Sequence, residues 1–429
     1  MQKTNRMLQV AVLRQNPEGV KERLQVKHFA ALHLVDEAIQ RDDERKKLQA
    51  AFDHIQSQIN ASSKLIGQLM AQGKKEEAEA AKQQVAAWKA ELEPLKTGMA
   101  EVEQQLTNIL LQMPNLPSSL VPKGKVAADN EVVRQVGGIP TLFEGALPHW
   151  DIAKKYNWID FELGNKITGS GFPVYIGKGA KLQRALIQYF LDVNTEAGYT
   201  EYLPPFMVNE ASAYGTGQLP DKEGQMYYMP EDNFYMIPTA EVPVTNVYRD
   251  EILKEADLPI KLTAYSPCFR REAGSYGKDV RGLNRLHQFE KVEIIQFVQP
   301  DKSYETLDAM VHHVEQLVQS LDLPYRILRL CGGDMSFASA LTYDFEVYSA
   351  AQQRWLEVSS VSNFESFQAN RLKARYKDAT GKTQLLHTLN GSSLALPRIL
   401  AALLENHQTE HGIRIPTVLQ PYVKASLLA

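Results

Sequence analysis

The sequence has few cysteines, no long apolar run and no excess of positive charge. Its 429 residues contain two cysteines, Cys268 and Cys331. They are too few and too far apart for a disulfide framework or a cysteine-based zinc site, so a reducing cytoplasm is the expected compartment. No apolar stretch approaches the roughly 20 residues of a membrane span, and residues 1–6 lead into no secretory segment, so we expect no membrane association.

Charge and glycine spacing exclude two further classes of protein. The formal net charge of -4 argues against a general nucleic-acid binder, so we expect no DNA partner and look for cations in local patches. Lys178 lies between Gly177 and Gly179 but lacks the upstream glycine of a phosphate-binding P-loop. The pair His312-His313 lies on an amphipathic helical stretch and is interpreted as solvated rather than as a metal site.

What the sequence does contain is typical of a globular enzyme. Apolar residues make up 44% of the chain and charged residues 23%. The length allows two or three domains with a sizeable core.

The most informative segment runs from Phe269 to Glu293. Phe269-Arg270-Arg271-Glu272 ends a predicted strand, a polar loop follows, and alternating apolar residues from Phe289 onward predict the returning strand. This hairpin would bring together a guanidinium that suits a phosphate, a carboxylate that can accept from an amine, and an aromatic ring that can stack on a purine. Taken alone, the pattern also fits an exposed hairpin rich in arginine and glutamate.

A second segment near the C-terminus supports the nucleotide interpretation. Residues 389–406 predict a turn of small residues around Gly391, followed by an apolar helix with Arg398 in its first turns. Small residues allow a helix start to approach a nucleotide, and Arg398 would add a second cation for the triphosphate. Upstream, residues 181–193 predict an amphipathic helix, and a short strand ends at Pro204-Pro205.

In this order and spacing the chain resembles the class II aminoacyl-tRNA synthetases. Their three motifs are a helix and strand ending in proline, an F-R-x-E hairpin and a G-x-x-x-R helix. Four further segments resemble signatures of the seryl-tRNA synthetases. These are residues 214–220, 238–243, 272–277 and 387–392.

The resemblance implies serine–tRNA ligase activity in two steps. The serine carboxylate attacks the α-phosphate of ATP to form seryl-adenylate and release pyrophosphate, and a terminal ribose hydroxyl of tRNA then takes the seryl group and releases AMP. Positioning and charge stabilisation would dominate catalysis, with Arg270 and Arg398 as the catalytic cations. The resemblance also implies a homodimer, tRNA(Ser) as partner, and tRNA(Sec) as a permitted second partner.

The resemblance carries over to individual residues. It implies ATP contacts at Arg270, Arg271, Glu272, Leu286, Phe289, Glu357, Val358, Ser359, Ser360 and Arg398. It implies L-serine contacts at Thr239, Ala240, Glu241, Arg270, Glu293, Asn390 and Ser392. Glu357 and Ser360 match positions that hold Mg²⁺, a cation that prefers oxygen ligands. Ser393 and Pro397 depart from the family's third motif, where glycine is frequent, although proline is tolerated in the first turn of a helix.

The N-terminal third has a seven-residue apolar repeat. Residues with alternating spacings of three and four, from Leu34 to Leu69 and from Ala78 to Met113, predict two coiled-coil helices of roughly 35 residues, each on the order of 50 Å long. Gln72-Gly73 between them predicts a turn, and Pro94 predicts a kink. Such an arm alone is most often a dimerisation element. In the seryl-tRNA synthetases it grips the tRNA.

The arm is slightly acidic, so tRNA binding would depend on a few cations. The candidates are Lys46, Lys47, Lys64, Lys74, Lys75, Lys82 and Lys89. The expected fold class is α+β, and the expected organisation has three parts. Residues 1–113 form the tRNA-binding domain with its antiparallel helical coiled-coil hairpin. Residues 114–138 form a linker. Residues 139–429 form a catalytic domain built on an antiparallel β-sheet flanked by helices.

Two other functions fit parts of the pattern. One is a serine-activating ligase that loads a carrier protein, against which the intact arm argues. The other is an inactive binding paralogue, which would be expected to lack Arg270, Glu272, Glu293 or Arg398, whereas all four are present.

Overall fold

The computed structural model describes residues 8–221, 224–272 and 281–429. The chain divides into two compact units. The first comprises Met1–Gln25 and Phe29–Pro114, and the second comprises Val26–His28 and Asn115–Ala429. Among the described helices, none combines the length and the apolar character that crossing a bilayer requires.

The first unit is a helical hairpin with two short helices before it. Its helices are α1 (Val10–Gln15), α2 (Pro17–Val26, whose last residue belongs to the second unit), α3 (His33–Ala71) and α4 (Lys75–Gln112). Gly73, at φ +76°, makes the turn between the long helices, a left-handed conformation that glycine adopts without strain. The predicted antiparallel hairpin is confirmed.

The apolar repeat forms the seam between α3 and α4. Ile59, Val85 and Leu92 form a buried cluster, against which Phe52 and Trp88 pack. Leucine, isoleucine and valine at these spacings face the partner helix because the repeat keeps one stripe on one side. The α4 helix continues through Pro94, whose ring is exposed.

The second unit contains the remaining elements. Its helices are α5 (His149–Tyr156), α6 (Phe161–Ile167), α7 (Lys178–Glu196), α8 (Glu210–Thr216), α9 (Glu241–Thr245), α10 (Ser303–Ser320), α11 (Phe367–Leu372), α12 (Leu396–Asn406) and α13 (Gln420–Val423). Its strands are β1 (Glu131–Val136), β2 (Ile159–Asp160), β3 (Val174–Tyr175), β4 (Thr200–Tyr202), β5 (Met207–Asn209), β6 (Tyr228–Met229), β7 (Phe234–Met236), β8 (Ile252–Lys254), β9 (Ile260–Phe269), β10 (Gln288–Val298), β11 (Tyr325–Arg329), β12 (Leu341–Ser349), β13 (Arg354–Glu365), β14 (Arg375–Lys377), β15 (Thr383–Leu385), β16 (His387–Ala395), β17 (Gln408–Thr409), β18 (Gly412–Arg414) and β19 (Leu427–Leu428).

The main sheet has eight strands in the order β1-β11-β12-β13-β16-β10-β9-β4. Neighbouring strands run antiparallel except β4, which lies parallel to β9 at one edge. Helices α7, α10 and α12 pack against the central strands and enclose the main apolar core. The sheet and its flanking helices confirm the predicted fold class.

Three local expectations differ from the structure. Residues 387–395 form strand β16 rather than a turn of small residues, and the following helix starts at Leu396. Part of the expected linker, Glu131–Val136, is an edge strand of the main sheet. His313 is partly buried and bonded to Asn194, whereas His312 is exposed, so the histidines are not a solvated pair.

Candidate active site

The β9–β10 hairpin places a cation beside an aromatic ring. The Arg270 guanidinium lies 5.2 Å from the centre of the Phe289 ring, and its Nε donates to the Pro238 carbonyl at 3.4 Å. The Arg270 backbone N–H donates to His287 O at 2.9 Å and fixes the position where the chain leaves β9. The structure therefore brings together two of the three hairpin groups that the sequence indicated.

The third group, Glu272, lies just beyond the strand end. Its backbone has φ +46°, and its carboxylate accepts from Arg285 Nη1 at 2.8 Å. Arg271 points elsewhere and stacks on the Tyr227 ring at 5.3 Å. Residues 273–277 of the third signature segment, which belong to the predicted polar loop, lie outside the described residues.

Leu286 does not present its side chain to a ligand site. The side chain is buried in the main core at 4% exposure, so a nucleotide could meet only the backbone of this residue. Phe289 packs against the same core but remains partly exposed.

A cluster of buried polar side chains, called the polar pocket below, lies beside the hairpin on the neighbouring strands β10 and β16. Glu293 and Ser392 are directly opposite each other on these strands, and Thr239 Oγ1 donates to Glu293 Oε1 at 3.3 Å. Asn390 lies two residues before Ser392 on the same strand. Ala240 is fully buried in an apolar cluster.

Two carboxyl groups in this pocket interact. Burial and the nearby Glu293 carboxylate raise the pKa of Glu241 to about 7. Glu293 is stabilised by an ion pair with Lys291, whose Nζ is 3.0 Å from Oε2. A pocket of buried carboxylates suits a ligand that carries an ammonium group, because the ligand supplies the missing positive charge.

Sequence reasoning missed Lys291 and Gln368. Lys291 lies two residues before Glu293 on a strand, so a period of two places both side chains on one face and could have indicated the pair. Gln368 Nε2 donates to Glu241 Oε1 at 2.6 Å, while its Oε1 accepts from Thr388 at 2.8 Å. Gln368 belongs to α11, is distant in sequence from Glu241 of α9 and from Thr388 of β16, and carries no local signal.

The predicted cation ligands lie on strand β13. Ser360 Oγ donates to Asp344 Oδ1 of β12 at 2.5 Å, and Glu357 is about half exposed nearby. Burial and the Glu357 carboxylate raise the pKa of Asp344 well above its ordinary value. The side chains of Val358 and Ser359 turn inward, Val358 into the core and Ser359 onto the carbonyl of Ser392 at 2.6 Å.

These donors fit a magnesium ion that is held largely by phosphate and water. Carboxylate and hydroxyl oxygens are the ligands Mg²⁺ prefers, and the ion usually takes one or two carboxylates in such sites. The Glu357 carboxylate lies close enough to raise the pKa of Asp344, and a cation bound nearby would stabilise the ionised forms of both groups. Within the described ranges, no group of three or more His, Cys, Asp or Glu forms a complete protein cage.

Arg398 lies in the first turn of α12 and faces the same region. Its Nη1 donates to the Glu357 carbonyl at 2.8 Å and is 3.7 Å from the Glu357 carboxylate, and its Nε donates to the Asn284 carbonyl at 3.1 Å. Pro397 lies at the start of the helix, where it displaces no helical hydrogen bond. Arg398 therefore points toward the candidate cation ligands.

The seven candidate arm lysines are all exposed on α3, α4 and the turn between them. Three form ion pairs within the arm: Lys46 with Asp42 at 2.9 Å, Lys74 with Glu77 at 3.3 Å, and Lys82 with Glu79 at 3.1 Å. The pairs of Lys74 and Lys82 have both partners exposed, and such pairs contribute little stability and exchange readily for a phosphate. Asp42, the partner of Lys46, is buried.

Family models match both parts of the chain. The model described as "Seryl-tRNA synthetase N-terminal domain" matches residues 7–117, and the model described as "tRNA synthetase class II core domain (G, H, P, S and T)" matches residues 227–407. The eight-stranded sheet, the arginine-bearing hairpin and the Arg398 helix are thus those of a class II aminoacyl-tRNA synthetase.

Comparison with individual relatives identifies the family within this class. A serine–tRNA ligase of Salinibacter ruber is 51% identical over 97% of this chain and 98% of that protein. A crystal structure of seryl-tRNA synthetase from Pyrococcus horikoshii complexed with ATP superposes with a TM-score of 0.89 at 32% identity, covering 98% of this chain and 99% of that one. The cytoplasmic enzyme of Naegleria fowleri in complex with AMP gives 0.85 at 27%, covering 99% and 98%. The chain belongs to the seryl-tRNA synthetases, and it is a ligase.

Proposed function

We propose that this site activates L-serine with ATP, forming seryl-adenylate and releasing pyrophosphate, and then passes the seryl group to the 3′ end of tRNA(Ser) with release of AMP. The observation that carries the proposal is the position of Arg270. Its guanidinium lies against Phe289 on the nucleotide side, and its backbone belongs to the hairpin that also carries Glu293. A cation there can contact both the α-phosphate and the serine carboxylate.

The nucleotide side uses groups from three elements. Arg270 would neutralise charge at the α-phosphate, the Phe289 ring would stack on adenine, and Glu272 would accept from the adenine amine. Glu357 and Ser360 on strand β13, with the backbone of Val358 and Ser359, would lie below the phosphates, and Arg271 and the Leu286 backbone would lie at the rim. Arg398 would hold the far end of the triphosphate. Mg²⁺ bound by Glu357 and Ser360 would supply further positive charge to the phosphates.

The serine side uses the buried pocket. Glu293 would take the amino group and the hydroxyl, with Thr239, Glu241, Asn390 and Ser392 around it and Ala240 forming the wall. Since the carboxyl groups of this pocket are buried, a substrate that lacks the matching polar group leaves them unpaired. Serine would then be selected over alanine by a hydrogen bond rather than by size.

The first unit would bind the tRNA through the α3–α4 hairpin, with residues 1–113 acting as the tRNA-binding domain. Residues 114–138 would connect it to the catalytic domain of residues 139–429 and also supply strand β1 to the main sheet. We propose tRNA(Sec) as a second acceptor on the family resemblance. The exposed arm lysines would contact phosphates, which carry affinity but not sequence information. The cysteines Cys268 and Cys331 are unpaired thiols, which suits a reducing cytoplasm.

A homodimer is also proposed. Leu203 is 78% exposed beside strand β4, and Val132 and Val133 are about half exposed on the edge strand β1. Apolar side chains on the edges of a sheet are typical of surfaces covered by another subunit.

Pyrophosphate exchange with each of the twenty amino acids tests the assignment. Serine should support exchange, while alanine and glycine should be slower by about 10⁴-fold or more, because they leave buried polar groups unpaired. Comparable exchange with alanine would rule out the assignment of these residues to serine recognition. Transfer of serine to a carrier protein rather than to tRNA would favour the carrier-loading alternative.

A further inference from the structure

The short segment Arg281–Asn284, which leads into strand β10, supports Arg398 directly. The Asn284 carbonyl accepts from Arg398 Nε at 3.1 Å. The direction of the Arg398 guanidinium therefore depends on where this segment of backbone is held. Loop backbone next to a ligand site is mobile unless something fixes it.

A buried histidine and a buried carboxylate fix the segment. His149, at the start of α5, and Glu405, near the end of α12, are both fully buried. His149 Nε2 accepts from the Leu283 backbone N–H at 2.9 Å, so its proton must lie on Nδ1. That nitrogen is 2.7 Å from Glu405 Oε1, which also accepts from the His149 backbone N–H at 3.0 Å.

A second connection reaches the same carboxylate. Gln352 Nε2 donates to Glu405 Oε1 at 3.2 Å and to Ser349 Oγ at 2.9 Å, while Gln352 Oε1 accepts from Asn284 Nδ2 at 2.9 Å. The Ser349 hydroxyl donates to the other oxygen of Glu405. Two successive residues of the segment, Leu283 and Asn284, are thus tied to one buried carboxylate by separate routes.

The charge of this carboxylate is maintained by its donors. Burial raises the pKa of Glu405, but the hydrogen bonds from the His149 side chain, from Ser349 and from the His149 backbone outweigh burial and lower the pKa below its ordinary value. Glu405 is accordingly an ionised acceptor, and hydrogen bonds to an ionised group are the stronger kind.

Close packing leaves the segment little room to shift. Gly282 has φ +66°, and a Cβ there would lie 2.2 Å from His149 Nε2 and 3.0 Å from Trp150 Cε3. The Arg281 guanidinium stacks over the Trp150 ring at 4.4 Å. Only glycine satisfies both the backbone conformation and the close approach to the imidazole.

We propose that His149 and Glu405 are positioning residues for ATP binding: they clamp the Leu283–Asn284 backbone, which in turn aims Arg398 at the triphosphate. The inference rests on the proposed role of Arg398 and goes beyond it, because both residues of the clamp are fully buried and act through the backbone segment. Loosening the clamp weakens the hold on ATP. The serine pocket is built from other elements and should be unaffected.

Two substitutions at His149 separate the clamp from simple stability. In His149→Asn the amide nitrogen takes the place of Nδ1 and can still donate to Glu405, but nothing accepts from the Leu283 N–H. In His149→Gln the longer side chain can place its amide oxygen near Nε2 and accept that bond. Full-length variants are compared by pyrophosphate exchange, with ATP and serine varied separately, and by thermal unfolding.

His149→Asn should raise the KM for ATP about tenfold, as expected for one unpaired buried donor. His149→Gln should raise it by at most about threefold, and the KM for serine should change by less than about twofold in both. Equal losses of thermal stability in the two variants with an unchanged KM for ATP would show a purely structural role and overturn the proposal.

Two further variants keep the outcome decisive. If His149→Asn does not fold, Gln352→Met removes the other route and should raise the KM for ATP by about threefold to fivefold, and no change there overturns the clamp. Arg398→Ala tests the underlying assignment. A normal KM for ATP in Arg398→Ala would refute the role of Arg398, whereas a raised one beside a normal value in His149→Asn would refute the clamp alone.

Discussion

Glu241 and Glu293 place two carboxyl groups in one buried pocket beside a single lysine, Lys291. Since burial and Glu293 raise the pKa of Glu241 to about 7, its carboxyl group is partly protonated near neutral pH. The folded state binds this proton more tightly than the unfolded chain does. The contribution of Glu241 to the free energy of unfolding therefore grows as the pH falls from about 7, its pKa in the folded protein, toward 4.5, the ordinary pKa of a glutamate.

Serine binding should respond to pH in the opposite direction. The substrate ammonium favours the ionised form of Glu241, which is lost as the pH falls through about 7. We expect the KM for serine to rise about tenfold between pH 8 and pH 6, following the ionised fraction. Glu241→Gln should show a raised but nearly pH-independent KM. A wild-type KM that stays flat over this range would contradict the charge assignment.

Arg270 should matter to the chemical step. Arg270→Ala is expected to lower the rate of seryl-adenylate formation by at least about 10²-fold, the loss seen when one transition-state donor is removed. Single-turnover adenylate formation measures the step. The exposed Arg184 on α7 offers a matched control, and Arg184→Ala should leave the rate unchanged. A wild-type rate in folded Arg270→Ala protein would remove Arg270 from the mechanism.

Elements built from local patterns were predictable from the sequence. The seven-residue repeat predicted α3 and α4, and the turn falls at Gly73 as the sequence indicated. The β9–β10 hairpin followed from alternating apolar residues. In each case neighbouring residues fix both the conformation and the buried face, so one stretch of sequence contains the whole signal.

Strand β16, which the sequence predicted to be a turn, shows where reasoning from local sequence fails. Asn390, Gly391, Ser392 and Ser393 resemble a turn because these residue types favour turns. Yet Gly391 lies opposite Ile294 and Val361 in the middle of the sheet, and a Cβ there would be 3.1 Å from Val361 Cγ2. Small residues here allow β13, β16 and β10 to pack closely, and that need arises only once the strands are paired.

The supporting groups of the site could not have been read from the sequence for the same reason. Gln368, Asp344 and Glu405 act on residues that are distant in sequence but near in space. Their roles depend on burial and on hydrogen-bond direction, which a residue type alone does not define.

The arm has its own stabilising network at its base. Asp42 on α3 is buried and bonded to Arg14, Arg45 and Lys46. Burial raises the pKa of Asp42, but the hydrogen bonds from Lys46, Arg45 and Arg14 outweigh it and lower the pKa to about 2. The stabilisation is present above about pH 4 and is lost as the pH falls through the folded value. The ion pairs of Asp42 at the base of the arm therefore remain formed at physiological pH.

At the scale of the whole molecule, the outer arm and the proposed catalytic site share no residue. The hairpin closes its own seam through Phe52, Ile59, Val85 and Trp88. The proposed site residues lie between Thr239 and Arg398, in the second unit. Two activities in one chain can then be separated by removing part of the hairpin.

The structure suggests where to cut. Leu48 Cδ1 lies 3.6 Å from the Cβ position of Gly98 on the facing helix, so residues 49–97 can be replaced by a short glycine-rich turn that keeps the base and the Asp42 network. Serine-dependent pyrophosphate exchange should remain within about twofold of the full chain, because no proposed site residue is removed. Charging of tRNA should fall by at least about 10²-fold, since the outer-arm lysines that are proposed to bind the tRNA phosphates are removed.

Lysine substitutions in the intact arm refine this test. Lys64→Ala and Lys89→Ala remove exposed cations without shortening either helix, and each should weaken tRNA binding and reduce its salt dependence by a slope near one for each phosphate that the lysine neutralises. Exposed Lys302 at the start of α10 serves as the control outside the arm. Unchanged tRNA charging by the shortened enzyme would assign the arm to dimerisation or spacing, because an RNA grip cannot be removed without losing its substrate. Loss of exchange in a shortened but folded protein would show instead that the catalytic unit depends on the arm.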